Sequence, residues 1–582
     1  MLYRFYSGIF QFNALFISAV VVANTTSFVA FQKLSFWPIT AFVAIFLAIY
    51  YWRQSGKERD LATVPPPYGM VSATIVMMVV FGVIIFNAVR MHTHEGSLVT
   101  VGTNDDNMNH IALSAISIKE GSLLFNSSQI KKMMEGGMYS PGMRWYPYGL
   151  YSFVNYIYNV TLSTHPPIID LRHLFNVHNS ITLFQLLMLL CGIYLISERL
   201  RATKSICSLP LTIIFGVFVI AGQFYLRLFT YGFYSQLIAY NLLIAALLMS
   251  DDMMRKKSVD HTQSIYFSTL IFSLGVTYYL FIPLGLALTL WTHMHTGSKP
   301  MRLSYPLIVF GTIPLLMFHI NLRIGEQIEA YGVSFVLIDG FVLALMGPVL
   351  LIFKKRNLNR NLSSALTMLM GLTLVQMVAT AVSTFAKTNN LTYYFFKSYW
   401  TLGVLGLPMI LVFITSTVDA VIEKSAGIAI VVFIVLTITA SIVTYMVFSG
   451  DGYTTRGYDT ALMIFNGKIN YFNAGEQKKW ILVYERWGET RGRSIFPVGL
   501  WGWTTLSYAL FGDVPELYRS NFRIQQYHIS HNNMSKFFDA VEKSELANEK
   551  PILLDGMGTA GQYLQHIPNL RRRFGGDILE RK

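Results

Sequence analysis

Cysteine is almost absent: the 582 residues hold two, Cys191 and Cys207, both at or within apolar runs and neither in a short Cys/His spacing. A disulfide-stapled scaffold and a zinc fold are excluded on that ground. Charge is scarce too. Asp, Glu, Lys and Arg make up 13% of the chain, while 53% is hydrophobic and 14% aromatic; charged residues in soluble domains run at about 25%. No convincing internal repeat or low-complexity tract is present. Disordered, fibrous and nucleic-acid-coating proteins are therefore ruled out, and a chain solvated by lipid fits. The formal net charge of +14 does not call for a polyanion partner: beyond residue 450, 17 Lys and Arg stand against 14 Asp and Glu, so most of the excess lies in the hydrophobic part. There it belongs to loops flanking membrane spans, where Lys and Arg set orientation.

What is abundant is long apolar runs. A spanning helix needs about 20 mostly apolar residues, and clear runs occupy Gly8–Phe31, Phe36–Trp52, Gly69–Val89, Ser180–Ser197, Ile206–Leu226, Phe229–Ser250, Leu303–Ile320, Val333–Phe353, Ser363–Ala386, Tyr399–Thr415 and Ala426–Phe448. Ser264–Met294 is too long for one ordinary span and contains Gly275, Pro283 and Gly285, so it reads as two short helices. With that hairpin and a cytoplasmic amino terminus, Arg53, Lys57 and Arg59, Arg199/Arg201/Lys204, Arg255/Lys256/Lys257, Lys299/Arg302 and Lys354/Lys355/Arg356/Arg360 all face the cytoplasm. The first run is too long for a signal peptide and is followed at once by another span. The expected fold is a polytopic α-helical membrane protein of about thirteen spans over residues 1–448, with a long exoplasmic loop at 91–179. Residues 449–582 read as an exoplasmic α/β domain, with strands at Trp480–Tyr484 and Pro551–Leu554 and an amphipathic helix at Met534–Leu546. This arrangement puts the carboxyl terminus on the periplasmic or extracellular side; a bacterial inner (cytoplasmic) membrane is the expected location.

Ionisable groups near the outer boundary carry the information about chemistry, because a membrane protein keeps few of them. Asp105 and Asp106 precede the run Ile111, Leu113, Ala115, Ile116 and Ile118, which places the pair at the start of a short helix. Adjacent carboxylates repel, which favours a proton on one of them, while a helix N-terminus favours the ionised form. A plain capped loop helix fits the same spacing, and so does a divalent cation on the pair; His110 reads as a metal ligand beside the aspartates or as a hydrogen-bonding group only. Gly142–Tyr151, with Arg144 and Tyr146, leads into a helix rich in aromatics that suits either the membrane interface or a sugar or phosphate pocket. Tyr393–Lys397, read as the end of an outer loop at 387–398, offers Tyr394 beside an ammonium at headgroup level. That ammonium could hold a lipid phosphate or snorkel beside an aromatic belt. Arg227 and Arg323 are outer-side cations with the same two readings. In the outer domain, Trp501 and Trp503 could stack on a carbohydrate acceptor or form core. Gly556, Gly558 and Gly561 match a phosphate-binding turn poorly.

Together, an Asp-Asp pair opening a large outer loop, the Tyr146-Pro147-Tyr148-Gly149 segment and the Tyr393-Tyr394-x-x-Lys397 segment resemble the polytopic GT-C glycosyltransferases. Within them the pair is most similar to that of arabinofuranosyltransferases using polyprenyl-phosphate arabinofuranose. One departure is that three spans precede the acidic loop here, where the family has one. The resemblance implies a polyprenyl-phosphate sugar as donor, and as acceptor a hydroxyl of a cell-envelope glycan or of an exported protein such as a pilin. It assigns Asp105 or Asp106 as general base. Lys397, assisted by Arg227 or Arg323, becomes the donor-phosphate cation, and His110, Arg144, Tyr146 and Tyr394 line the pocket. The resemblance implies no certain cofactor, and a divalent cation on the aspartate pair stays possible. A transporter or flippase of lipid-linked saccharides and an O-antigen-ligase-type transferase are the alternatives.

Overall fold

The computed structural model describes residues 2–31, 36–55, 105–135, 146–162, 169, 171–201, 211–212, 214, 234–256, 261–296, 359–388, 393–422, scattered positions from 427 to 442, and the segments 480–484 and 550–554. The expected spans at 69–89, 206–226, 303–320, 333–353 and 426–448 lie wholly or largely outside these residues, as does the expected amphipathic helix at 534–546.

The described chain is almost entirely helical: α1 (Leu2–Phe31), α2 (Phe36–Ser55), α3 (Asp105–Glu120), α4 (Ser128–Glu135), α5 (Gly149–Thr161), α6 (Leu171–Leu200), α7 (Tyr234–Lys256), α8 (His261–Thr277), α9 (Ile282–Thr296), α10 (Arg360–Thr388) and α11 (Tyr393–Ile422). Five of these, α1, α6, α7, α10 and α11, are long and apolar enough to cross a membrane. Apolar side chains on α2 (Trp37, Ile45, Ile49) and α10 (Val375, Val378, Val382) stand exposed, the pattern of faces turned to lipid rather than water. The interior holds polar residues that pair with one another. Asn13 and Gln185 exchange amide hydrogen bonds of 3.1 and 3.0 Å, and Asn241 Nδ2 donates to the Gln185 side chain and carbonyl, each at 2.8 Å. That joint ties α1, α6 and α7 together where an unpaired amide would be costly.

Helix directions follow from these contacts. Gln185 faces Asn13 while Tyr194 meets Tyr6, so α6 runs against α1. Helices α6, α7 and α11 run the same way: Gln236 contacts Lys397 near their starts, and Arg199 and Arg201 reach Asp251, Asp252 and Asp419 near their ends. The bundle thus has a Lys397 end and an Asp251 end. The expected hairpin is present: α8 and α9 pack on each other across a break at Tyr278–Phe281, at the Lys397 end. A Cβ on Gly275 would lie 3.1 Å from Ile282, and one on Gly285 3.4 Å from Ile271, so the glycines let the two arms approach closely.

Sequence and structure differ in three places. The segment 91–179 holds, besides the two expected helices α3 and α5, the helix α4 and the first turns of α6. Helix α5 does not lie in the interface, because its residues from Gly149 to Tyr156 are all buried, and it packs on α1, α3, α6, α7 and α8. Its aromatic residues therefore serve as bundle core. Thirdly, α10 extends to Thr388 and α11 begins at Tyr393, so Lys397 stands in the first turns of a helix rather than in a loop. In α5 and at Lys397 the polar or aromatic residues that break the apolar run keep helical backbone while neighbouring helices cover them. Helix α1 packs on α5, α6, α7 and α8, so the amino-terminal helix is part of the bundle.

At the Asp251 end, the Asp251 carboxylate is fully buried and accepts Arg255 Nε at 2.9 Å, Arg199 at 3.5 Å and Asn359 Nδ2 at 2.9 Å. Arg199 also reaches Asp252 at 2.6 Å, and Arg201 pairs with Asp419. Asp251→Ala is expected to cost about 3 kcal/mol, the loss typical of stripping one partner from a buried pair. Asp252→Ala should cost under about 1 kcal/mol, since that carboxylate is only half-buried and Arg199 keeps Asp251. Thermal unfolding of the two variants in detergent checks the order; equal midpoints would contradict it.

The two strands β1 (Trp480–Tyr484) and β2 (Lys550–Leu554) pair in parallel, Trp480 opposite Lys550 and Tyr484 opposite Leu554. Parallel pairing requires a crossover between them.

Candidate functional site

Helix α3 opens at Asp105, so both aspartates occupy its first turn, where the unpaired amides and the helix dipole favour negative charge. Asp106 sits one turn before His110 and two before Ser114 on the same helical face, whereas Asp105 aligns with Asn109. The backbone is described at both aspartates; their side chains lie outside the described residues.

His110 is buried, and its Nδ1 lies 2.6 Å from the Tyr151 hydroxyl of α5. Its ring lies 5.8 Å from that of Tyr151, 6.2 Å from Tyr146 and 5.7 Å from Tyr234 at the start of α7. One turn deeper, Ser114 Oγ donates to the His110 carbonyl at 2.9 Å and lies 2.8 Å from His178 Nε2 of α6. With its proton on that carbonyl, the hydroxyl can accept from an imidazole protonated on Nε2. The His178 ring lies 5.9 Å from Tyr234. Two histidines on different helices thus flank one tyrosine beneath the first turn of α3.

Helix α5 supplies Tyr151 and, at its entry, Tyr148, whose hydroxyl lies 3.1 Å from Thr25 Oγ1. Burial pushes the Tyr148 phenol up to about 12, with the Thr25 hydrogen bond pulling the other way. The phenol therefore stays protonated throughout the neutral range. In stability terms, the benefit of the neutral folded form is whole below the ordinary value and is lost only as pH climbs through about 12.

Lys397, 7% exposed, is enclosed at the same end. Its Nζ lies 5.4 Å from the centroid of the Tyr278 ring, at the α8–α9 break. Gln236 Nε2 donates to the Lys397 carbonyl at 2.9 Å, two residues along α7 from Tyr234. The path from His110 to Lys397 thus runs through the first turn of α7, which brings the starts of α3, α7 and α11 to one end of the bundle.

Of the residues singled out in the sequence, His110, Tyr146 and Lys397 gather here, with the backbone of Asp105 and Asp106 one turn above His110. Tyr394 lies in the first turn of α11, its side chain outside the described residues. Arg144, Arg227, Arg323, Trp501 and Trp503 also lie outside them. Among the described residues no group of three or more His, Cys, Asp or Glu side chains is placed to hold a metal ion. Cys191 is a buried free thiol whose Sγ lies 3.7 Å from the Tyr6 carbonyl, away from these groups.

Sequence reading named Tyr151 only within the Gly142–Tyr151 aromatic segment, and missed His178, Tyr234, Gln236 and Tyr278. Gln236 and His178 carried a usable signal, a polar side chain at or inside an apolar run; the tyrosines carried none. Comparison with known proteins finds no family model that matches the chain and no curated protein that matches it.

Proposed function

We propose that this chain is an integral membrane glycosyltransferase of the GT-C kind, moving a sugar from a polyprenyl-phosphate donor to a hydroxyl acceptor. The observation that supports this reading is that, at one end of an apolar bundle, the helix start bearing Asp105 and Asp106 and the helix start bearing Lys397 both approach the first turn of α7. The link is His110 against Tyr234 at 5.7 Å and Gln236 on the Lys397 carbonyl at 2.9 Å. The Lys397 end is taken as exoplasmic, because the Asp251 end carries Arg199, Arg201, Arg255, Lys256 and Arg360, as the retention of Lys and Arg on the cytoplasmic side requires. A sugar nucleotide would not be available on that face, which is the reason for a lipid-linked donor.

In this reading a carboxylate of the pair takes the acceptor's hydroxyl proton. The freed oxygen attacks the anomeric carbon, and the bond from that carbon to the phosphate oxygen breaks. The donor phosphate carries one negative charge as a diester and two when it leaves, so a fixed cation stabilises the transition state more than the ground state. Lys397 supplies that cation. Asp106 is the better candidate for the base, since it shares the helical face of His110 and Ser114 that points to the Tyr151 and Tyr234 rings. The outer domain, with Trp501 and Trp503, is assigned to the acceptor, and arabinofuranose is the sugar the resemblance favours.

The test uses purified full-length protein in detergent, where transport between compartments cannot register, with a panel of polyprenyl-phosphate sugars and glycan or pilin-like peptide acceptors. Formation of a new glycosidic bond supports the proposal. Donor movement across vesicles without any bond formation would overturn it in favour of a flippase. Lys397→Ala should raise the donor KM by about tenfold or more, on the scale of one lost charge-assisted contact. An unchanged donor dependence removes Lys397 from the phosphate site.

A further inference from the structure

We propose that Gln236 and Tyr278 are positioning residues for the Lys397 ammonium, so that recognition of the donor phosphate depends on the break between α8 and α9. This rests on the reading of Lys397 as the donor-phosphate cation. Among the described residues, one set of contacts anchors the main chain of that lysine and another its head. Its carbonyl accepts from Gln236 Nε2 at 2.9 Å and from Thr401 Oγ1 at 2.8 Å, beyond its ordinary helical role. Gln236 is fully buried, and its Nε2 also donates to the Tyr240 hydroxyl at 2.6 Å, which in turn lies 3.2 Å from Thr401 Oγ1. The first turns of α11 are therefore pinned to α7 by a closed set of hydrogen bonds.

The head is held by the Tyr278 face. Tyr278 has an extended backbone at φ −152°, ψ 102°, where α8 stops and a single 3₁₀ turn begins. Phe281 packs edge-on against its ring at 5.1 Å and lies 5.4 Å from Tyr240. The Tyr278 hydroxyl reaches back to Gln236 Oε1 at 3.5 Å, and Gln376 Nε2 of α10 holds the Leu280 carbonyl at 3.0 Å. One glutamine thus touches both the main chain of the lysine and the ring beneath its ammonium. An aromatic face attracts an ammonium, and a lysine whose main chain and head are both placed meets an incoming phosphate with its flexible stem already ordered.

The experiment is equilibrium binding of undecaprenyl phosphate to the full chain in nanodiscs, with thermal unfolding measured alongside. Lys397→Ala is expected to weaken binding by about tenfold or more, and Gln236→Leu and Tyr278→Leu by about fivefold each. Tyr278→Phe, which keeps the ring, should lose less than Tyr278→Leu. Adding Tyr278→Leu to Lys397→Ala should weaken binding no further, because the ring acts only through the lysine. A general structural role would lower the unfolding midpoint yet leave the affinity of the folded protein unchanged. If Gln236→Leu fails to accumulate, the Tyr278 pair and the double variant decide alone. Native affinity in Tyr278→Leu, or a double variant whose losses add, would overturn the inference while leaving Lys397 as the phosphate cation. Native affinity in Lys397→Ala would overturn both.

Discussion

Asp106→Asn is expected to cut glycosyl transfer by about 10²- to 10⁴-fold, the contribution of a positioned general base. Asp105→Asn should cost less. The difference comes from helical register: α3 begins at Asp105, and Asp106 rather than Asp105 aligns with His110 and Ser114, the residues that meet Tyr151 and His178. Asparagine keeps the volume, and losing one carboxylate from the first helical turn costs at most about 1 kcal/mol, so both variants should insert and accumulate as the native chain does. Initial rates in detergent with saturating donor, normalised to folded protein, are the measurement. Full activity in both variants would remove the carboxylates from the reaction. An O-antigen-ligase-type enzyme, which relies on outer arginines and a histidine, would give that result. A larger loss in Asp105→Asn would reverse the assignment between the two while leaving the chemistry standing.

The second large effect is structural. A Cβ on Gly149 would lie 2.2 Å from Thr277 Oγ1 and 2.9 Å from Thr277 Cα. The first obstacle is a side chain, the second is backbone, so rotating Thr277 cannot relieve it. Gly149→Val should force α5 away from α8 at a cost of roughly 3 kcal/mol or more, at the upper end of overpacking penalties. Because the start of α5 carries Tyr148 and Tyr151, displacement should also release His110 and abolish transfer. Thr277→Ala in the Gly149→Ala background removes the clash with the hydroxyl but leaves the one with the main chain, so only partial recovery is expected. Gly8 and Gly371 are the controls: nothing lies within 4 Å of a Cβ at either. Alanine there should be neutral or stabilising by up to about 1 kcal/mol through helix propensity. Thermal midpoints of the variants test the contrast; a Gly149→Val protein as stable as the native one would refute the close approach.

Gly149 also shows where reading from sequence stops. The Tyr146-Pro147-Tyr148-Gly149 segment is conspicuous as a string of residues, and its proline and glycine signal a helix entry. That the glycine is required by Thr277, 128 positions away in the chain, is visible only once α5 and α8 are packed. Lys397 makes the same point. Its neighbours Tyr393 to Phe396 and the preceding polar stretch suggest a loop, yet tertiary cover lets α11 start at Tyr393 and draws the lysine inside.

The amino-acid order alone determined that the chain is helical and apolar, where several of its long helices run, that Ser264–Met294 breaks into two, and that α3 starts at the aspartates. These are properties of periodicity, glycine and proline placement and end-signals, each acting over a few residues. Tertiary structure alone decided which helix starts share an end, that α5 is core rather than surface, that His178 and Tyr234 sit beneath α3, and that Gln236 and Tyr278 attend Lys397. Such meetings depend on the packing of helices far apart in sequence, and a buried tyrosine or glutamine looks the same along the chain whether it faces a lysine, a histidine or lipid.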